Sequence, residues 1–315
     1  MNRKAIIFGI RGTKLNTEEK YLLKMEKPWG IILFSRNIND LFQLKYLVND
    51  IKNCAKDKNY PILIDQEGGQ ISRLNKIIDL SFFSQSYFGK LYNKDKFFFK
   101  HYYKIYVDKV CQIIKEVGIN INTVPVLDVR RKNSHNVIGN RSFSTDCKVV
   151  SKLGNLCINL YEKNKIGTVI KHIPGHGLST CDSHYNLPII KTKKTELIKK
   201  DFKPFKICKS LFAMTAHVIY SVYDPIFTAT HSKIIINDVI RKYIGFKGLL
   251  ISDDISMKAL KYGLKENAIK ALDAGCNLIL HCNGNIKEMS NLVKIVPTID
   301  KFTQKKTSDF YKFLG

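Results

Sequence analysis

Eight short apolar runs with helical segments between them constrain the fold of this 315-residue chain more than any other feature. The runs occupy residues 5–10, 31–34, 62–65, 121–129, 168–172, 212–218, 249–253 and 278–281. They are rich in Ile, Val, Leu and Phe and lack strict polar alternation, as strands covered on both faces require. Helical spacing marks residues 40–56, 97–117, 146–164, 195–209, 232–244 and 256–274. Asn37 and Asn39 are candidate caps for the first of these, and Gly118, Gly245 and Gly275 close three others. A strand-then-helix rhythm repeated eight times predicts an α/β chain folded as a single (β/α)8 barrel, with an open doubly wound sheet as competitor. Such a barrel takes about 250 residues, so residues 1–315 are expected to form one catalytic domain. No Pro-, Gly- or Ser-rich linker interrupts it, and the polar tail from Lys301 reads as loosely packed.

With 44% hydrophobic and 25% charged residues the composition is that of a globular protein. The net charge of +25 could draw the chain toward nucleic acid or an anionic membrane. However, Lys104, Lys115, Lys163, Lys191, Lys193, Lys194, Lys199 and Lys200 fall in different segments, and Lys, Asn and Ile are abundant together, as AT-rich coding produces. We therefore expect neither a nucleic-acid nor a membrane partner, but a monomer acting on a small molecule. The eight cysteines contain no CxxC pair and read as reduced thiols of an intracellular protein. The apolar stretch near the N-terminus stops at Arg11, short of a signal peptide's core, and no stretch reaches the ~18 apolar residues of a membrane span. A cytoplasmic location is the expectation.

Active sites of β/α barrels lie at the C-terminal ends of the strands. The polar residues at those ends are unusual for apolar runs: Asp65, Asp128 with Arg141 beyond it, Lys171 and His172, His217, and Asp253. Lys171-His172-Ile173-Pro174-Gly175-His176-Gly177 packs two histidines, a lysine and two glycines into one strand-end loop, followed closely by Asp182-Ser183-His184. A carboxylate two residues from an imidazole can fix its tautomer and raise its basicity, making a proton shuttle near neutral pH. In isolation such a pair is more often an ordinary surface hydrogen bond. Asp253 ends an apolar strand, where an unpaired charge is costly, so it either meets a cation or attacks something. Asp254 reads as a cap for the following helix. Asp65 and Arg73 suit a grip on sugar hydroxyls, and Glu67 is an alternative catalytic acid, since most glycosidases use paired carboxylates. Taken alone, Arg73 or Arg141 would read as half of a surface salt bridge.

The ordered set WGIILFSRNI, DQEGG, PVLD, IGNRSF, KHIPGHG with DSH, GFKGLLISDDISMKAL and AGCNLILHCN spans Trp29 to Asn283. It resembles the family 3 β-N-acetylhexosaminidases of bacterial peptidoglycan recycling. The resemblance implies a retaining glycosidase with Asp253 as nucleophile, His184 as general acid/base and Asp182 orienting the imidazole. Asp65, Arg73, Arg141, Lys171 and His172 would bind the N-acetylglucosamine ring, with no metal or cofactor. Gln70 and Thr228 depart from residues common in the family, away from this chemistry.

Other readings remain open at this level. A family 3 phosphorylase would keep the same residues, and a β-glucosidase would share the barrel. A metal-dependent barrel hydrolase could use His172, His176, His184, His217 and His281. A basic nucleic-acid-binding protein would need its lysines on one face with aromatics for stacking.

Overall fold

The computed structural model describes residues 2–131, 137–179 and 186–315. Eight parallel strands close into a barrel: β1 (Lys4–Gly9), β2 (Pro28–Leu33), β3 (Ile62–Ile64), β4 (Ile121–Asn122), β5 (Gly167–Ile173), β6 (Phe212–Thr215), β7 (Leu249–Asp254) and β8 (Leu278–His281). All eight apolar runs supply a strand, and sequence neighbours are spatial neighbours right round the ring. The ring closes where β1 pairs with β8 in the register Ile6↔Ile279. Closure excludes the open doubly wound sheet.

The strands lack polar alternation because both faces are covered. β2 and β5 are buried at every position, their side chains filling the barrel on one face and meeting helices on the other. The surrounding helices include α1 (Thr17–Met25), α2 (Leu41–Ala55), α3 (Gln85–Lys94), α4 (Lys96–Glu116), α5 (Cys147–Lys163), α6 (Leu264–Ala274), α7 (Ile286–Ile295) and α8 (Lys301–Leu314). Their starts are chemically marked. Asn16 and Glu19 form a reciprocal capping box on α1, and Asp95, Asp146, Asn285 and Asp300 cap α4, α5, α7 and α8. Asp40, rather than Asn37 or Asn39, caps α2, accepting from the Gln43 N–H at 2.8 Å. Asn37 instead ties two strand-end loops together by donating to the carbonyls of Ile10 and Gly12. Residues 195–209 and 232–244 form shorter or wider helical turns, over Lys203–Ile207 and Ile235–Tyr243 among others.

The C-terminal tail is not loose. Its α8 helix seals the end of the barrel opposite the strand C-termini. Phe310 is fully buried, edge-on to Phe212 with ring centroids 5.2 Å apart, and the sole tryptophan, Trp29, donates to the Thr307 hydroxyl at 2.8 Å. Gly167 leaves the space that Phe310 occupies: a Cβ there would lie 3.0 Å from the Phe310 ring. Phe310→Ala should therefore cost about 3–5 kcal/mol, the usual cost of emptying a buried aromatic site. Urea unfolding followed by Trp29 fluorescence measures it, and an unchanged midpoint would show that α8 is dispensable.

Candidate active site

The site starts at the turn after β3. Gly68 and Gly69 both adopt positive φ, and a Cβ on Gly68 would lie 2.3 Å from the Phe83 carbonyl oxygen, so this turn tolerates little else. The Ile71 carbonyl accepts from both the Glu67 and the Gly68 N–H, which folds the chain back and brings Arg73 to Asp65 with Nη2–Oδ2 at 2.9 Å. Buried Gln66 holds the turn in place: its Oε1 accepts from the Arg73 and Leu74 N–H groups, and its backbone exchanges two hydrogen bonds with the Asn122 side chain.

A chain of buried charges runs across the barrel mouth from there. Lys171 Nζ lies 2.5 Å from Asp65 Oδ1 and 2.6 Å from Glu67 Oε1, with the lysine side chain 2% exposed. Glu67 in turn takes a two-pronged bond from Arg141, Nε to Oε2 and Nη2 to Oε1, each 2.8 Å. Thr123 donates to Asp65 Oδ1 at 2.6 Å. Burial pushes the Asp65 and Glu67 carboxyls upward. For Asp65 the charges of Lys171 and Arg73 overwhelm that effect, and for Glu67 those of Arg141 and Lys171 do, so both sit below the ordinary carboxylate range. Both are ionised, and the grip they give the cations is charge-assisted at every link.

At the ends of β4 and β5, fully buried Asp128 accepts from His172 Nδ1 at 2.7 Å and from the His176 backbone N–H at 2.6 Å. The other ring nitrogen, His172 Nε2, lies 3.4 Å from Arg141 Nη2. Asp253, next to last in β7, is half-buried, its Oδ1 accepting from the Asp254 N–H at 2.8 Å. The pairing of β7 with β8 shifts register between Leu278 and Leu280, which sets this strand end apart from the rest of the ladder.

One pocket at the barrel mouth is lined by Asp65, Arg73, Arg141, Lys171, His172 and Asp253, together with Phe34, Met214, Met257 and Cys282. The structure thus brings together six of the eight residues singled out from sequence. The other two, Asp182 and His184, lie outside the described residues. Glu67, the alternative catalytic acid, does not line the pocket: both its oxygens are engaged by Arg141 and Lys171. Asp254 caps no helix. It bonds Ser256 and the Cys282 N–H within a turn, and α6 begins only at Leu264 behind Gly263. His217 is committed to Thr230 and the Asp254 carbonyl, and His281 to Glu288. Among the described residues no three His, Cys, Asp or Glu side chains are grouped as metal ligands. Gln66, Asn122 and Thr123 carried no sequence signal beyond their place beside a strand end.

Titration of the buried groups sets an acid limit on stability. Burial pushes His176 down to about 4, with His172 adding to the effect, and His231 likewise, with His217 adding. Between pH 6.5 and 4 the unfolded chain therefore binds more protons than the folded one, and stability falls as pH falls. Asp201 works in the opposite sense. Burial raises it to about 6 against the pull of Arg131, so its contribution is present at low pH and is lost as pH rises through 6. Each of these two histidines costs about 2 kcal/mol by pH 5 and Asp201 offsets about 1, so these three groups make the fold about 3 kcal/mol less stable at pH 5 than at pH 7, and the burial of His217 acts in the same direction. Urea midpoints at the two pH values test this, and equal midpoints would show that the histidines titrate normally.

The sequence pattern of the family described as glycosyl hydrolase family 3 N-terminal domain matches residues 4–309. The beta-hexosaminidase of Psychromonas ingrahamii is 34% identical over 307 residues, which cover 94% of this chain and 88% of that protein. The beta-hexosaminidase of Neisseria meningitidis serogroup C is 33% identical, with 89% and 78% covered. NagZ from Neisseria gonorrhoeae, crystallised in complex with N-trifluoroacetyl-D-glucosamine, aligns with a TM-score of 0.84 at 29% identity over 100% of this chain and 90% of its own. A Paenibacillus family 3 beta-N-acetylglucosaminidase shares the fold with a TM-score of 0.88 at 24% identity, this chain covering 60% of that longer one.

Proposed function

This chain belongs to glycosyl hydrolase family 3, and on that premise we propose that it is a retaining β-N-acetylglucosaminidase. It would release terminal β-linked N-acetylglucosamine from cell-wall muropeptides, as one catalytic barrel domain working as a monomer in the cytoplasm during peptidoglycan recycling. The observation that carries this is the pocket itself: Asp253 and Asp254 at the end of β7 share its lining with Asp65, Arg73, Arg141, Lys171 and His172, groups suited to sugar hydroxyls. Arg73 Nε supports it further, because among the described residues this buried donor has no acceptor, and a sugar hydroxyl would provide one. The beta-hexosaminidase relatives and the glucosamine-derivative complex of NagZ point to the same sugar. For the compartment, the seven cysteines among the described residues are unpaired, and no described helix is long and apolar enough to cross a membrane.

In this mechanism an Asp253 oxygen attacks the anomeric carbon while the bond to the leaving oxygen breaks. His184 supplies that oxygen's proton, with Asp182 orienting its ring. Water then attacks the glycosyl–Asp253 ester, giving its proton to His184, and two inversions leave the β configuration retained. Asp65, Arg73, Arg141, Lys171 and His172 would hold the ring. A site whose buried donors and acceptors are matched to one sugar rejects analogues that leave them unpaired.

The test is turnover of a chromogenic β-N-acetylglucosaminide beside the matching β-glucoside, with and without phosphate. Preference for the former, with free sugar as product at any phosphate level, supports the proposal. Equal efficiency would move the chain to the glucosidases, and sugar phosphate as product to the phosphorylases. His184→Ala should slow an unactivated alkyl glycoside by about 10²–10⁴-fold and a dinitrophenyl glycoside far less, since the latter's leaving group needs little protonation. Equal losses on both would remove His184 from the acid/base role.

A further inference from the structure

We propose that Asp128 is a positioning residue that fixes the tautomer of His172 and so sets which sugar contact that imidazole can make. The proposal rests on the functional reading above for what His172 binds, and on geometry for the rest. Asp128 is 0% exposed, so its carboxylate has no water and must spend its lone pairs on protein donors. It takes three: the His172 ring at Nδ1, 2.7 Å away, the His176 N–H at 2.6 Å, and the His172 N–H at 3.3 Å. An ionised carboxylate only accepts, so the proton of a neutral His172 ring sits on Nδ1 and the lone pair on Nε2.

That lone pair faces Arg141, whose Nη2 lies 3.4 Å away and can only donate. The two ends of the ring therefore agree: an acceptor behind it and a donor in front both select the Nδ1–H form. Within the pocket, His172 Nε2 is then an acceptor set among the donors of Arg73, Arg141 and Lys171, a neutral one beside the Asp65 and Asp253 carboxylates. Without Asp128 nothing behind the ring would hold Nε2 in its acceptor form. The His176 contact ties the same carboxylate to the segment that leads, eight residues later in sequence, to His184.

Asp128→Asn separates the two tasks. The amide oxygen can still accept from the His176 N–H, but its NH2 now meets His172 Nδ1 and drives the ring proton to Nε2. There it confronts the Arg141 donors, and a sugar hydroxyl that would donate to Nε2 loses that acceptor. We expect kcat/KM on the aryl N-acetylglucosaminide to fall about 100-fold in Asp128→Asn, while Asp128→Ala, which also loses the His176 anchor, falls further. In 15N-histidine-labelled protein without ligand, the His172 resonances should switch from the Nδ1–H to the Nε2–H pattern in Asp128→Asn.

The decisive measurement is a double-mutant cycle with His172→Gln. If Asp128 acts through His172, adding Asp128→Asn to that background costs little, and the two losses are strongly non-additive. Additive losses, an unchanged tautomer in Asp128→Asn, or wild-type activity in that variant would each overturn the proposal. The tautomer is read on ligand-free protein, so wild-type protein without N-acetylglucosaminidase activity would defeat the functional proposal and leave this measurement intact.

Discussion

Replacing Asp253 with alanine is expected to abolish turnover, by on the order of 10⁴–10⁶-fold in kcat, while the barrel stays folded. The expectation follows from where the residue sits. Asp253, next to last in β7, is only half-buried, at the open side of the ring, where the Asp65 and Glu67 carboxylates are locked to cations. Removing it creates no cavity of consequence, so thermal unfolding should hardly move. A covalent route divides the difficult displacement into two easier steps, and without the carboxylate neither is open. Brief incubation of wild-type enzyme with a 2-fluoro analogue of the substrate should trap a glycosyl ester on Asp253, seen by mass spectrometry of its peptide. A folded Asp253→Ala enzyme that keeps more than about a hundredth of wild-type activity would remove the nucleophile assignment.

Glu67→Gln should be the most damaging substitution for the fold and the site together. Glu67 is enclosed between Arg141 and Lys171 and gives each of them its countercharge. A glutamine keeps the shape but lacks the charge, and its NH2 must face an N–H donor. Breaking one partner of a buried ionic network leaves a charge uncompensated, typically at a cost of 3–5 kcal/mol. We expect that loss in urea unfolding at neutral pH. Activity should also fall at least about 100-fold, and equally on good and poor leaving groups, because sugar binding rather than proton transfer is damaged. A selective loss on poor leaving groups with intact stability would return Glu67 to the role of catalytic acid.

The strands were legible because a strand covered on both faces needs nothing but apolar residues, and each run sits alone between polar segments. Helix α8 was not. Its sequence is mostly Lys, Thr, Ser and Gln, and its buried side comprises Thr303, Thr307 and Phe310, two of them hydroxyl residues that look like surface. Thr307 is buried because it accepts from Trp29, 278 positions away, a pairing that no local pattern carries. The same distance problem hid the use of Glu67. On its own segment it is an acid beside glycines, and only Arg141, 74 residues later, and Lys171 turn it into a structural counter-ion. The pocket-lining residues were accessible to sequence reading because strand ends are where a barrel exposes its side chains, so position alone filtered the candidates. The tautomer proposed for His172 was beyond it, since Asp128 and Arg141 reach the ring from the long segment after β4 and the ring itself comes from β5.

Closure of the ring through β1 and β8 has a temporal side. Ile6 and its partner Ile279 are separated by nearly the whole chain, and at about 5–20 residues per second a ribosome needs roughly 15–55 s to pass from one to the other. Through that interval β1 has a single neighbour, β2, and its other edge offers unpaired N–H and C=O groups to any passing strand. A chain that runs this course must either delay compaction of its first half or shelter that edge. The lysine-rich character of the nascent protein, at +25 overall, favours the first, because self-repulsion within the chain opposes early compaction.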